Sequence, residues 1–237
     1  MEIRKMYLII ASMITVLSIA AFCALFFHGG YGEKILIKLG FKEPQKETNW
    51  ALFSWDSCLE KLNYDADIAF IGDSITRGSN FQEHFPDKKI INLGYSGDTI
   101  AGVSERLSML KHTSPEKIFI MVGINGLTDK SSDACLKTYA NLLASMKKEL
   151  PGTEVYVQSI LPLSKEKSEQ LSCSNDTIQN FNMELKKLAE QHQMTYVDLF
   201  SVFIENDEMK PSLSADGLHI NSDGYEVWEN AIASYMD

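Results

Sequence analysis

Short, largely apolar runs and amphipathic stretches take turns along most of this chain. Asp67–Gly72 (DIAFIG), Lys89–Leu93 (KIINL), Lys117–Val122 (KIFIMV), Glu154–Ile160 (EVYVQSI) and Met194–Leu199 (MTYVDL) are each brief, apolar and rich in β-branched residues. That is the signature of strands covered on both faces. Helical periodicity fills the gaps, at Thr99–Lys111, Ser132–Leu150, Thr177–Gln193 and Asp223–Met236. In the first of these, Ile100, Val103, Leu107 and Leu110 recur at i, i+3, i+4 spacing. Pro151-Gly152 stops the second. Trp50–Leu62 reads as an additional helix, its tryptophans serving packing. Strands separated by helices predict a doubly wound α/β domain, with a five-stranded parallel sheet between two helical layers. No internal repeat or second folded domain is visible.

The amino terminus follows a different pattern. Met6 to Phe27 contains no charged side chain, and as a helix it would rise roughly 33 Å, enough to cross a bilayer. A cleaved signal has a shorter apolar region and a small-residue cleavage site. We therefore expect an anchor over residues 1–28, a juxtamembrane linker over 29–49 that follows His28 with Gly29-Gly30 and contains Pro44, and a folded domain over 50–237. Arg4 and Lys5 precede the apolar run, whereas Lys34, Lys38, Lys42 and Lys46 follow it, so the positive-inside count does not set the orientation. Position at the extreme amino terminus favours an extracytoplasmic domain.

Charge and cysteines narrow the class. A net charge of −10 disfavours nucleic-acid binding, which requires clustered Lys and Arg. Cys23, Cys58, Cys135 and Cys173 show neither metal-ligand spacing nor a disulfide framework. No cofactor is expected.

The candidate chemistry gathers where strands end. Gly72-Asp73-Ser74, Gly94-Tyr95-Ser96-Gly97 and Gly123-Ile124-Asn125-Gly126 follow the first three strands. In a parallel sheet all three emerge at one carboxyl edge, the usual ligand site of open α/β sheets. Ser74 stands at a strand-to-helix turn, where it can act as a nucleophile or simply cap the helix. Gly94 and Asn125 can supply hydrogen-bond donors to an oxyanion. None of the loops matches a dinucleotide or P-loop pattern. Of five histidines, His219 is distinguished by Asp216 three residues earlier, in SADGLHI. A carboxylate so placed can orient an imidazole, as the acid does in a serine triad, although a surface Asp and His near a helix start fit the same spacing.

The motifs Gly72-Asp73-Ser74-Ile75-Thr76, Gly94, Gly123-Ile124-Asn125 and Asp216-Gly217-Leu218-His219, with the ending LHINSDGYEVW, occur in an order that resembles the SGNH or GDSL hydrolases. The resemblance spans about residues 65 to 237. It implies the flavodoxin-like three-layer α/β/α sandwich of that family. It also implies Ser74 as nucleophile, His219 as general base and then acid, and Asp216 as the residue orienting His219. The oxyanion would be held by the N–H groups of Ser74 and Gly94 and by the Asn125 side chain. Many members carry Asp where this chain has Gly126, which leaves the support of that loop open. Asp98 and Arg106 resemble family positions near the second motif, and Asp98 reads as a helix cap.

The expectation is a cofactor-free serine esterase that forms an acyl-serine and removes a small acyl group, such as acetyl, from a small-molecule or glycan ester. A lysophospholipase or thioesterase, an envelope sugar O-acyltransferase using the same residues, and a non-catalytic binding protein are the alternatives.

Overall fold

The computed structural model describes Tyr7, Thr15, Ser18, Trp50–Leu62, and residues 64–128 and 130–237. The expected anchor (1–28) and linker (29–49) therefore lie, apart from those three positions, outside the described residues. Among the described residues no helix is long and apolar enough to cross a membrane. The chain divides into two units, Met1–Trp50 and Ala51–Asp237, and the sheet with its covering helices belongs to the second.

Helix α1 (Trp50–Leu62) leads into β1 (Ile68–Gly72), then α2 (Ser74–Arg77), α3 (Phe81–His84) and β2 (Ile90–Gly94). After α4 (Ile100–Glu105) and α5 (Leu107–Thr113) come β3 (Lys117–Met121), α6 (Ile124–Leu127), α7 (Ser132–Glu149) and β4 (Glu154–Gln158). The chain ends with α8 (Lys165–Leu171), α9 (Asn175–Gln191), β5 (Thr195–Val197), α10 (Phe200–Phe203), the hairpin β6 (Ile204–Glu205) and β7 (Glu208–Met209), and α11 (Ser222–Ile232). The five main strands form one parallel sheet in the order β2-β1-β3-β4-β5.

Alternation along the strands divides the core into two halves. Ala69, Ile71, Ile118, Ile120, Val155 and Val157 face Val103, Leu107, Tyr139, Leu142, Met146, Phe181 and Leu185 from the helices α4, α5, α7 and α9. Ile68, Phe70, Ile90, Phe119 and Tyr156 face Ile75, Phe81, Trp228 and Ile232 from α2, α3 and α11. The result is three layers, as the alternating pattern predicts. On the second face, register places Phe70 beside Phe119 and Phe119 beside Tyr156. Their rings stack at 4.9 and 4.6 Å, and Phe81 covers Phe70 at 3.6 Å.

Three boundaries differ from expectation for identifiable reasons. The helix expected over Thr99–Lys111 is two helices, because Arg106 leaves helical geometry at φ −119°, ψ 26° as its guanidinium turns into the core. Strand β5 stops at Val197 because the N–H groups of Leu199 and Phe200 both donate to Ser159 Oγ. Strand β4 stops at Gln158; Asn182 then takes both backbone groups of Ile160. The short α3, α8 and the β6–β7 hairpin carry too few residues to show a period.

Replacing Phe119, fully buried in the middle of the aromatic row, by Ala is expected to lower stability by about 3–5 kcal/mol. Urea denaturation of the two proteins checks this.

Candidate active site

Strand β1 delivers the chain to Gly72, and Asp73 caps α2 by accepting the Ile75 N–H at Oδ1, 3.0 Å away. Ser74 thus opens a helical turn. Its Oγ lies 3.0 Å from His219 Nε2. The other imidazole nitrogen, Nδ1, lies 2.9 Å from Asp216 Oδ2. Asp216 Oδ1 accepts the backbone N–H groups of Leu218 and His219, at 3.0 and 2.7 Å. Burial pushes the Asp216 carboxyl up, but the His219 ring and these two N–H groups outweigh it and bring it to about 2. An ionised Asp216 accepts from Nδ1–H, which leaves Nε2 as the acceptor for the Ser74 hydroxyl. Although 145 residues separate Ser74 from His219, Ser74, His219 and Asp216 form one hydrogen-bonded chain.

Two other described histidines pair with carboxylates elsewhere. His84 pairs with Glu229 at 2.9 Å, and His112 lies 3.7 Å from Asp56. Among the described residues no group of three or more His, Cys, Asp or Glu could hold a metal ion.

The second loop departs from expectation. Gly94 is buried, and its N–H donates to Asn92 Oδ1 at 2.9 Å. A Cβ there would stand 2.2 Å from Arg77 N, so this glycine exists to let α2 lie on β2. Its N–H is thus taken by Asn92 rather than turned towards Ser74, and the expectation that Gly94 helps hold the oxyanion is corrected. Gly97 is the exposed glycine of the same loop. It occupies the third position of a turn closed by Asp98 N–H to Tyr95 O at 3.1 Å, with φ +75°, the conformation such a turn asks of glycine. Among the described residues its N–H has no protein acceptor, and neither has that of Ser74.

Asn125, near the start of α6, donates from Nδ2 to Asp98 O at 2.8 Å, which places its amide against the Tyr95–Asp98 turn. One N–H of that amide is left over. Gly126, where many family members carry Asp, is buried beside Cys135 of α7, so packing supports this loop.

Two residues beneath the site tie the loops together. Arg106 donates from Nη2 to Gly72 O at 3.0 Å, from Nη1 to Leu93 O at 2.7 Å, and from Nε to Asp98 Oδ2 at 2.7 Å. Asp98 is thus the ion partner of a buried guanidinium, and the cap of α4 is Thr99. Asn92 donates to Thr76 O and Ser79 O, at 2.8 and 2.9 Å, fastening the end of α2 to β2. A buried Arg and a strand Asn interrupt the apolar patterns around them; those interruptions are the signal in the sequence.

Comparison with known proteins establishes the family. Residues 70–227 match the GDSL-like Lipase/Acylhydrolase family, and the chain belongs to that family of ester-hydrolysing enzymes. Among solved structures it is similar to a Streptococcus pneumonia protein described as a candidate platelet activating factor, with 27% identity, a TM-score of 0.71, and 78% of this chain and 92% of that one covered. A GDSL-like lipase from Bacteroides thetaiotaomicron aligns at 21% identity and TM-score 0.68, over 80% and 97% of the two chains. An acetylxylan esterase from Geobacillus stearothermophilus aligns at 19% and 0.58, over 73% and 94%. No curated protein sequence matches significantly.

Asp73 offers a pH test of the site's electrostatics. Burial pushes its carboxyl up to about 7, against the lowering effect of the Ile75 N–H. The folded state then holds a proton that the unfolded chain, at 3.8, releases earlier. Its contribution to stability is largest below about pH 4 and declines as pH rises to about 7. Asp73→Asn keeps the acceptor for Ile75 and removes the titration. The variant should lose less stability between about pH 4.5 and 7.5 than the wild type, by on the order of a few kcal/mol, in urea midpoints measured at the two pH values.

Proposed function

We propose that the protein is a serine esterase that removes small acyl groups, acetyl above all, from carbohydrate hydroxyls through an acyl-Ser74 intermediate. The observation that carries the reading is the hydrogen-bonded chain Ser74–His219–Asp216. As Ser74 Oγ attacks the ester carbonyl, His219 Nε2 takes its proton, and Asp216 steadies the imidazolium that forms. The carbonyl oxygen becomes an oxyanion, held by the N–H groups of Ser74 and Gly97 and the Asn125 side chain. His219 then returns the proton to the departing alcohol, and a water molecule activated by the same imidazole releases the acid.

The openness of the site favours a small acyl group on a bulky alcohol. The side chains of His219 and Asp216 are each 45% exposed, so a large alcohol can stand clear of the protein while only the ester is gripped. Similarity to an acetylxylan esterase supports the same direction. We further propose that residues 1–28 anchor the domain to the membrane, with the domain on the extracytoplasmic side; the uncharged run Met6–Phe27 supports this.

The test is hydrolysis of p-nitrophenyl acetate, butyrate and octanoate by the full-length protein in mild detergent. The wild type should fall steeply from acetate to octanoate, and Ser74→Ala should lose turnover by several orders of magnitude. Equal rates for the two proteins would remove Ser74 from the chemistry, and an octanoate preference would point to lipid esters. Asn125→Ala should lower kcat by about 10²–10³, the usual effect of losing one oxyanion donor. Consumption of acyl ester that depends on an added sugar acceptor would make the enzyme a transferase.

A further inference from the structure

Within α2, Ile75 and Thr76 are buried, whereas Ser74 is half-buried and Arg77 is exposed. The nucleophile and the guanidinium therefore share one face of a single helical turn, at the i, i+3 spacing that makes side chains neighbours. Arg77 Nη1 donates to Ser96 Oγ at 3.3 Å, which lays the guanidinium across the gap between Ser74 and the Tyr95–Asp98 turn. That contact occupies one of its five N–H donors.

Among the described residues no carboxylate pairs with Arg77. The carboxyls on the two elements it bridges are turned inward: Asp98 lies buried against Arg106, and Asp73 is buried beneath Ser74, 2% exposed. A chain of net charge −10 thus places a cation with free donors at the rim of its candidate active site.

We propose that Arg77 is a specificity-determining residue that binds an anionic group on the alcohol part of the ester. This rests on the reading of Ser74 as nucleophile. The carbonyl is held by the oxyanion donors and an acetyl group carries no charge, so the anion belongs to the alcohol. A guanidinium fork matches either a carboxylate or a phosphate in two parallel hydrogen bonds. The substrate class is accordingly an acylated acidic sugar or an acylated phosphoester. Because Arg77 is exposed, the attraction is screened by salt and acts mainly on KM.

Three acetyl esters of matched phenols test it: 4-acetoxybenzoate, 4-acetoxyphenyl phosphate and the uncharged methyl 4-acetoxybenzoate. The full-length wild type should favour an anionic ester in kcat/KM. In Arg77→Gln the ratio of anionic to neutral kcat/KM should fall about tenfold, chiefly through KM. Arg77→Lys should restore part of it, and high salt should erode the wild-type preference. A larger loss on the carboxylate supports an acidic sugar; a larger loss on the phosphate supports a phosphoester. An unchanged ratio in Arg77→Gln, with all three esters hydrolysed, overturns the inference alone. If the wild type hydrolyses none of the three, the esterase reading itself fails and takes the inference with it.

Discussion

A buried arginine, Arg106, 5% exposed, ties together the loops at the carboxyl edge of the sheet. Arg106 binds carbonyls at the ends of two adjacent strands, the last of β1 at Gly72 and the last but one of β2 at Leu93, and pairs with Asp98. Asp98 in turn offers its carbonyl to Asn125. The loops that follow β1, β2 and β3 are therefore tied to one buried ion pair. Desolvating two such ions costs several kcal/mol each, and burial pushes the Asp98 carboxyl up against the lowering effect of Arg106. The hydrogen bonds to the Gly72 and Leu93 carbonyls offset that cost. The gain is positional: the loops around Ser74 are fixed in place by these bonds.

Around this anchor the site separates its carboxyls by environment. Asp216 lies near the surface, receives three N–H donors counting the imidazole, and stays ionised down to about pH 2. Asp73, one residue before Ser74, is buried and pushed up to about 7. Negative charge is kept beside the His219 imidazole and reduced next to Ser74. The same division of labour between two carboxyls by burial is a general way of running acid–base chemistry near neutral pH. Arg77, on the exposed side of the same turn, adds a positive potential facing the solvent.

The strands and their parallel arrangement were legible from local patterns, and Ser74, Asn125, Asp216 and His219 stood out as candidates through such patterns taken in an order that resembles a known family. Apolar runs of strand length, glycine-bearing loops after them, and an Asp three residues before a His can all be seen along the chain. Gly94 and Gly97 show where such reading stops. Both are glycines in one short loop, and nothing local tells which turns its N–H to solvent. The answer lies in Asn92, whose side chain takes the Gly94 N–H, and in Arg77, whose backbone leaves no room for a Cβ at Gly94.

By itself the sequence determined the class of fold, through alternation of apolar strands and amphipathic helices, and the order of the chemical groups along it. Tertiary structure decided how those groups meet. Only the folded chain closes the 145 residues between Ser74 and His219 to 3.0 Å. It also breaks the expected helix at Arg106 and directs that side chain inward. The physical reason is common to both: a side chain's partners are set by which loops the sheet edge brings together, and a parallel sheet joins loops far apart in sequence.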